Sequence, residues 1–509
     1  MMDINRETYI EAAPERFAAE CLRLHKRLDS AVMTYFAEDL RKELGIFRLY
    51  CVFLDKEKKA WTVVRTGLPG ADARMTSLSK EMFSAGLFER EMGEMFGIKF
   101  EESPDTRRLS LHDEVWPKGY YPLRKDFSPD DAARAAPEGD YCFNRVDGEG
   151  IFEVPVGPVH AGIIGPGHFR FSAAGEPVIN LETRLGFTHR GVEKLFETMD
   201  ADNAVSFSEK VSGDSAFSYS CAFCRGIESI YGLEVPLRAS IIRAIFIELE
   251  RMYNHANDIG GMAVDVGFGY PNALASTVKE DLLALNRMLT GSRYLKGVNR
   301  IGGVNADISG EMKPLLLDSV LRAREIMNEL NGILHSSVSF MDRVDGTGIL
   351  KKKTAADLGV TGLAARASGI RCDLREIFDG QVYGACRFKP AVQEEGDVLA
   401  RLNVRFDEFE ASVGMINKMA EMLDKAGKSG LKAEYIPKAG AAIGSIEAWR
   451  GPVIIWVRTD PSGRIERCKI TDPSFKNWQG LCFSVLGNII PDFPLCNKSF
   501  DLSYPGNDL

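Results

Sequence analysis

Two serines flank a glycine and a carboxylate near the middle of the chain. Ser212, Gly213, Asp214 and Ser215 directly precede residues 216–231, where apolar residues recur at helical spacing. If Asp214 faces a buried cavity, desolvation raises its pKa and makes it a candidate proton relay. The alternative is that Asp214 caps the helix that begins near Ala216. Both interpretations stay open on the sequence.

Two histidines lie in a second polar segment. His160 and His168 stand on a loop rich in glycine and proline, and Gly165 lies between them. The surrounding residues, 156–171, predict two strands joined by this loop. An imidazole can carry a proton near neutral pH, although a structural role is more common for a lone histidine. His168 is therefore a second candidate proton relay.

The ten cysteines are scattered, and Cys221 and Cys224 form a Cys-x-x-Cys pair. The pair lies on the predicted helix after Ser215, and no second pair stands where a metal site would need it. Free cysteine is among the most frequently buried residue types, so we predict that both are structural. No cysteine run resembles an iron–sulfur motif, which places any such cluster on a partner protein.

The elements that position these residues fall into two domains, as expected for 509 residues. The first domain, 1–127, is predicted to be α/β. Its patterns are helical spacing over 11–43, strands over 47–55 and 60–66, and a helix ending at Gly97. Residues 105–127 are predicted to be an extended tail that lies on another surface, with a plain surface loop as the alternative. Residues 128–150 are rich in Pro, Gly and Asp and are predicted to be a linker.

The second domain, 151–509, is predicted to be mainly helical with small antiparallel sheets, so the fold class of the whole chain is α+β. The pattern predicts a helix over 182–198, mostly helices over 216–425, and a hairpin over 453–470 that turns at residues 460–463.

Composition excludes several classes of protein. Hydrophobic residues make up 45% of the chain and charged residues 27%, which is typical of a soluble globular protein. A net charge of −9 argues against a nucleic-acid partner. No apolar run is long enough to cross a bilayer, so any membrane association is expected to come through partner proteins.

Several motifs carry a family resemblance over nearly the whole chain. The first domain resembles the 30 kDa (C) subunit of respiratory complex I, through Glu89–Gly97, Arg107, Arg108 and residues 122–127. The second resembles the 49 kDa (D) subunit of complex I and the large subunit of group 4 membrane-bound nickel–iron hydrogenases. The segments that carry the second resemblance are 157–160, 167–170, 189–194, 248–255, 366–369, 373–375 and 472–475.

The resemblance implies a metal site whose ligands are missing here. In the hydrogenases two Cys-x-x-Cys pairs bind nickel and iron, and the first pair falls on Ser212 and Ser215. The Asp-Pro motif of the second pair falls on Asp472, which puts Ser474 and Asn477 at the ligand positions. A glutamate used for proton transfer falls on Gly165. The resemblance thus implies a cavity whose candidate lining residues are His160, Gly165, His168, Ser212, Gly213, Ser215, Ser474 and Asn477. Because hydroxyl and amide oxygens do not replace thiolates at such a centre, we expect no metal.

The resemblance also implies a function, partners and cofactors. We expect a peripheral subunit of a membrane-bound, complex I-like oxidoreductase that couples electron transfer to ion translocation without a nickel–iron site. We expect no directly bound cofactor, a possible quinone, an iron–sulfur partner like the B subunit of complex I, and membrane partners like its H and antiporter-like subunits. We expect the chain to lie on the cytoplasmic side of the inner membrane, as a peripheral part of a membrane complex. The quinone-binding tyrosine of complex I falls near Gly213, which counts against the alternative of an NADH–quinone oxidoreductase. A structural scaffold is a further alternative, and an active hydrogenase is the one that the residue types disfavour most.

Overall fold

A computed structural model describes residues 6–137, 139–161, 164–378, 380–427 and 430–509. The first domain is a four-stranded sheet in the order β1-β4-β3-β2, in which only the β1–β4 pair is parallel. A two-stranded parallel pair, β5–β6, accompanies it. Its elements are β1 (Arg6–Glu11), α1 (Pro14–Leu28), β2 (Thr34–Leu40), α2 (Arg41–Leu44), β3 (Ile46–Asp55), β4 (Ala60–Pro69), β5 (Arg74–Thr76), α3 (Gly86–Phe96) and β6 (Lys99–Glu101).

Strand β3 is buried on both faces, which shows how the two domains meet. Leu49 and Cys51 pack with the helices of the first domain, whereas Tyr50 and Val52 pack against the second domain. Neighbouring residues of a strand point to opposite faces, so the sheet lies between two apolar layers. The ring of Tyr50 lies 5.0 Å from that of Trp456 in the second domain. This apolar contact joins the domains into one packed unit.

The second domain combines a helical body with two three-stranded antiparallel sheets, β7-β8-β9 and β12-β13-β14. Its elements up to residue 344 are β7 (Ile151–Val156), β8 (His168–Ala174), β9 (Val178–Arg184), α5 (Val192–Phe196), α6 (Ala201–Ser208), α7 (Ala216–Tyr231), α8 (Leu237–Asp265), α9 (Gly269–Thr290), β10 (Asn299–Arg300), β11 (Gly303–Val304), α10 (Met312–Ser336) and α11 (Val338–Val344); α4 (Pro129–Arg134) precedes them.

The remaining elements are α12 (Lys352–Leu358), α13 (Gly362–Ala367), α14 (Leu374–Ile377), α15 (Gly380–Cys386), α16 (Val398–Ala426), β12 (Gly440–Glu447), β13 (Pro452–Thr459), β14 (Ile465–Thr471), α17 (Pro473–Ser484), α18 (Phe493–Phe500) and α19 (Tyr504–Asp508). The predicted α+β class, the strands β3 and β4, the helix end at Gly97 and the β13–β14 hairpin are confirmed.

The helical spacing over 11–43 is misleading in its second half. Helix α1 ends at Leu28, where Asp29 adopts a left-handed conformation, and residues 34–40 form strand β2. Val32, Phe36 and Leu40 are spaced as on one face of a helix, but Phe36 lies on a strand that is buried on both faces. Such a strand shows no alternation of apolar and polar residues, so spacing alone does not separate it from a helix.

The helix predicted over 182–198 is wrong. Residues 178–184 form β9, which pairs with β8, and α5 covers only Val192–Phe196. Gly186 and Gly191 between them have positive φ angles of 94° and 64°. These are backbone conformations that a helix does not use.

The extended tail and the predicted linker lie along the second domain. His112 Nε2 lies 2.6 Å from the carbonyl oxygen of Leu185, and Arg184 Nη1 donates to Glu114 at 2.8 Å. Within 128–150 the structure has α4, and then Tyr141 donates to Glu182 at 2.9 Å. The tail prediction is confirmed by these contacts. Residue 138 of the linker lies outside the described residues.

Gly444 of β12 and Gly226 of α7 let this helix pack closely on the sheet β12-β13-β14. A Cβ atom on Gly444 of β12 would lie 1.9 Å from the carbonyl oxygen of Ala222 and 2.4 Å from the amide nitrogen of Gly226, both on α7. Gly444→Ala is therefore expected to lower the melting temperature by several degrees, since backbone atoms must separate.

Gly414→Ala is the matched control, because this exposed glycine of α16 has no atom within 4 Å of its added Cβ. Alanine favours a helix over glycine by about 1 kcal/mol, so the control is expected to be neutral or stabilising. Calorimetry of both variants checks the pair. Equal melting temperatures would contradict the close contact.

Candidate functional site

The turn that contains Asp214 is held against α8. Residues 213–215 form a short 3-10 turn immediately before α7. The carbonyl oxygen of Asp214 accepts a hydrogen bond from Asn254 Nδ2 at 2.9 Å and one from the Tyr253 hydroxyl at 3.3 Å. Helix α8 therefore fixes the position of the turn. Gly213 is exposed, and Asp214 is partly exposed.

The serines of this turn meet a serine from the C-terminal segment. Ser212 Oγ donates to Asp214 at 2.8 Å and lies 2.8 Å from Ser503 Oγ. Ser215 Oγ donates to Asp214 at 3.0 Å and accepts from Trp449 Nε1 at 2.9 Å. We call Ser212, Asp214, Ser215 and Ser503 the hydroxyl cluster. Three hydrogen bonds join members of the cluster, and Trp449, Arg450 and the amide of Gly506 make the others.

Arg450 pairs with the carboxylate of the cluster. Its Nη1 and Nη2 atoms contact the two oxygens of Asp214 at 3.0 and 2.7 Å, and Nη2 lies 3.3 Å from Asp501. Burial of Asp214 acts to raise its pKa, but the charge and hydrogen bonds of Arg450 outweigh burial and lower it. The predicted rise in the pKa of Asp214 is wrong, because the sequence does not show that Arg450 lies beside it. Asp214 is therefore ionised at neutral pH, which does not suit a proton relay.

The interpretation of Asp214 as the cap of α7 is also wrong, because a different residue accepts hydrogen bonds from the first amides of this helix. The carboxylate of Glu250 on α8 accepts from the amides of Phe217 and Ser218 at 2.9 and 3.1 Å, and also from the Ser218 hydroxyl. Burial raises the pKa of Glu250 to about 8, although these hydrogen bonds oppose the rise. Glu250 is thus the carboxyl group beside the turn that holds a proton at neutral pH. Only tertiary contact identifies it.

The two histidines of the loop separate in the structure. His160 Nε2 lies 3.2 Å from the hydroxyl of Tyr504. His168 begins β8 and packs against Phe143, with ring centroids 5.1 Å apart, so it lies with the linker segment. Burial lowers the pKa of both imidazoles. The ring of Tyr504 covers Gly165, where an added Cβ would lie 2.8 Å from the ring.

The C-terminal residues at the cluster differ from those that the motif suggested. Ser474 does not bond to Ser212 but supports Ser503, since its Oγ accepts a hydrogen bond from the amide of Ser503 at 2.9 Å. Asn477 bonds to the backbone of Thr361 at 2.9 and 3.1 Å instead. The segment that reaches Ser212 contains Ser503 and Gly506, whose spacing is that of Cys-x-x-Cys. This spacing, with Asp501 two residues before Ser503, is the signal that sequence reasoning missed.

The donor set does not fit a nickel–iron centre. The cluster offers hydroxyl oxygens and one carboxylate that is already paired with Arg450, and such a centre needs thiolates. Cys221 and Cys224 lie within the core of α7, and burial raises the pKa of both thiols. Their predicted structural role agrees with this burial. Across the described ranges, no group of three or more His, Cys, Asp or Glu side chains could hold a metal ion.

Most of the charged residues in the motifs 248–255, 366–369 and 373–375 form a separate buried network. Arg366 lies 2.6 Å from Glu408 and 2.8 Å from Glu447, and His255 Nε2 lies 2.9 Å from Glu408. Arg375 pairs with Asp373 at 2.7 Å and with Glu248 at 3.1 Å. Burial lowers the pKa of His255 to about 4, so this histidine is neutral. These residues fix α8, α13, α14 and α16 to one another.

Comparison with known proteins agrees with the motifs. Residues 10–133 match the family of the 30 kDa subunit of respiratory-chain NADH dehydrogenase, and residues 265–438 match that of its 49 kDa subunit. Formate hydrogenlyase subunit 5 of Escherichia coli is 33% identical over 93% of this chain and 84% of its own length. The fused C/D protein of NADH-quinone oxidoreductase from Phocaeicola vulgatus is 30% identical over 68% of this chain and 70% of its own length.

A solved structure shares the fold. It is a chain of the membrane-bound sulfane sulfur reductase, an archaeal respiratory membrane complex, with a TM-score of 0.66 and 26% identity over 71% of this chain and 99% of that chain. The present chain belongs to the family of complex I-like proteins that contains formate hydrogenlyase subunit 5 and the fused C/D proteins of NADH-quinone oxidoreductase. No described helix is both long and apolar enough to cross a membrane.

The raised pKa of Glu250 predicts a pH-dependent stability. The folded chain keeps this proton up to about pH 8, whereas the unfolded chain releases it near 4.5. Between these values the folded state binds more protons, so stability falls as pH rises, by up to about 1.4 kcal/mol per pH unit from this group. Glu250→Gln is expected to remove this contribution.

Urea unfolding at pH 5.5 and 7.5 measures the difference. Glu410→Gln, at an exposed side chain paired with Arg324, is the control and should keep the wild-type slope. A Glu250→Gln slope equal to that of the wild type would show that Glu250 is ionised in the folded chain.

Proposed function

We propose that this chain is a peripheral subunit of a membrane-bound, complex I-like oxidoreductase that couples electron transfer to ion translocation without a nickel–iron centre. Its relatives are subunits of hydrogenase and NADH-quinone oxidoreductase complexes. The observation that carries the proposal is the contact of 2.8 Å between Ser212 and Ser503. Hydroxyl groups bond directly to each other in this cluster, which offers no thiolate to a metal.

The exposed side of the site suggests where partners bind. Gly213 and part of Asp214 remain accessible, and Val159 in the neighbouring loop is 86% exposed. An iron–sulfur protein similar to the B subunit of complex I would cover this face, and membrane proteins of the H and antiporter-like types would lie beyond it. The assembly would then sit on the cytoplasmic side of the inner membrane.

Isolation of the intact complex tests this proposal. An affinity tag on the chain is expected to recover an iron–sulfur protein and integral membrane proteins in fixed ratio. Elemental analysis is expected to find iron in the complex and no stoichiometric nickel, because hydroxyl oxygens bind nickel weakly compared with thiolates. One nickel per chain would refute the metal-free site, and recovery of the chain alone would refute the assembly.

A second candidate function, quinone binding in an NADH–quinone oxidoreductase, is favoured by one observation. Gly213 supplies no phenol, but Tyr504 reaches the same region from the C-terminal segment and lies 3.2 Å from His160. A phenol and an imidazole are the two groups that the resemblance to complex I implies for binding the quinone headgroup. Packing of Tyr504 over Gly165 equally suits a structural scaffold, in which the site is filled by side chains.

Tyr504→Phe separates these alternatives. If the phenol binds a quinone, loss of one hydrogen bond of about 1 kcal/mol should raise the KM for a water-soluble quinone about fivefold in the isolated complex. Tyr270→Phe, at a tyrosine that is 56% exposed, is the control. Unchanged quinone kinetics with a correctly assembled complex would favour the scaffold.

A further inference from the structure

A cavity of about 390 Å³ lies between the two domains, apart from the hydroxyl cluster. Helix α3 and residues 103–110 of the first domain form one wall, and β9 and α17 of the second domain form the other. Its volume is within the range of small-molecule sites, which often occur at domain boundaries. The apolar part of the wall comes from Leu87, Leu109, Leu181, Leu185, Phe475 and Cys482.

The charged side chains of the wall are already paired. Arg107 contacts Asp105 at 2.7 Å and Glu182 at 2.5 Å. The other wall arginines are likewise paired, namely Arg90 with Asp105 at 3.2 Å, Arg108 with Asp113 at 3.5 Å and Arg184 with Glu114 at 2.8 Å. A charged ligand would have to break one of these pairs or enter without a counter-ion. Either change costs free energy, so the wall disfavours the binding of a charged ligand.

Neutral polar groups remain available in the cavity. The side-chain amide of Gln479 has no hydrogen-bond partner within the described part of the chain. Gln479 lies on α17 and is partly exposed, so its amide can donate to a neutral oxygen of a ligand in place of water. The neighbouring Nε1–H of Trp478 is enclosed by the protein and has no acceptor among the described residues.

The cavity opens to the surface beside two aromatic rings. Phe83 from the first domain and Phe483 from the second both line it, and they are 58% and 49% exposed. An apolar opening suits the apolar part of a ligand whose polar group points inward. Trp478 also packs against Tyr504, with ring centroids 4.9 Å apart, so the inner end of the cavity lies one aromatic layer from the hydroxyl cluster.

We infer that this cavity is a binding site for a neutral, mostly apolar small molecule that carries a carbonyl group. The carbonyl oxygen accepts from the Gln479 amide on α17, and the apolar body contacts the leucines and the phenylalanine rings at the opening. This inference does not depend on the metal-free redox role proposed above. It also differs from quinone binding at His160 and Tyr504, neither of which lines the cavity.

A series of three naphthalene probes tests charge and acceptor separately. The purified full-length chain is dialysed to equilibrium against 2-acetylnaphthalene, 2-naphthoate or 2-ethylnaphthalene. The ketone is expected to bind at least about tenfold more tightly than the carboxylate, because burial of an unpaired charge costs more than about 1.4 kcal/mol. Gln479→Leu should weaken ketone binding about fivefold and leave the ethyl compound unaffected. Gln381→Leu, at an exposed glutamine, is the matched control.

Filling the cavity locates the bound probe. Leu87→Trp places a larger ring in the space and is expected to abolish binding of all three probes, whereas Leu321→Trp, on the exposed face of α10, should not. Circular dichroism confirms that each variant is folded, and Gln479→Leu provides a test that does not depend on Leu87→Trp. Unchanged binding to folded Leu87→Trp, or equal affinities for the ketone and the carboxylate, would overturn the inference.

Discussion

The ion pair between Arg450 and its two aspartates holds the site together. Arg450 lies in the turn between β12 and β13, Asp214 lies before α7, and Asp501 follows α18. A buried guanidinium is costly unless carboxylates surround it, and loss of one partner from such a pair typically costs about 3–5 kcal/mol. Three segments that are distant in sequence must therefore come together at one point. The contact between Ser212 and Ser503 follows from this constraint, because each serine lies within two residues of a paired aspartate.

The same requirement explains the larger ion network around α8. Its arginines and carboxylates come from four helices and from the end of β12, and nearly all are fully buried. Such residues are recognisable as motifs because removal of any one leaves a charge without a partner. Their side chains contact each other rather than a ligand. The motif residues in this network therefore belong to the internal framework of the chain, and the hydroxyl cluster is a separate site.

Where an element has clear periodicity or turn residues, the sequence predicted it well. The long helices α8, α9 and α16 lie within or across the region predicted to be mostly helical, and the β13–β14 hairpin was predicted close to its observed position. The errors fall at β2 and β9. β2 is buried on both faces and has no alternation to read, and β9 is recognisable only from its pairing with β8. The predicted rise in the pKa of Asp214 was wrong for a similar reason, since Arg450, which lowers this pKa, is more than two hundred residues away in sequence.

By itself, the sequence determined the α+β class and the family, and it led to the expectation that serines stand where the hydrogenases have metal-binding cysteines. Residue types and short-range spacing carry this information. For the metal, residue type alone gives the expectation, because a hydroxyl group does not supply a thiolate. Tertiary structure alone decided that Ser503 and not Asn477 meets Ser212, that burial raises the pKa of Glu250 while Arg450 lowers that of Asp214, and that a cavity with paired charges lies between the domains. Each of these depends on distances between segments far apart in the chain, which residue order does not specify.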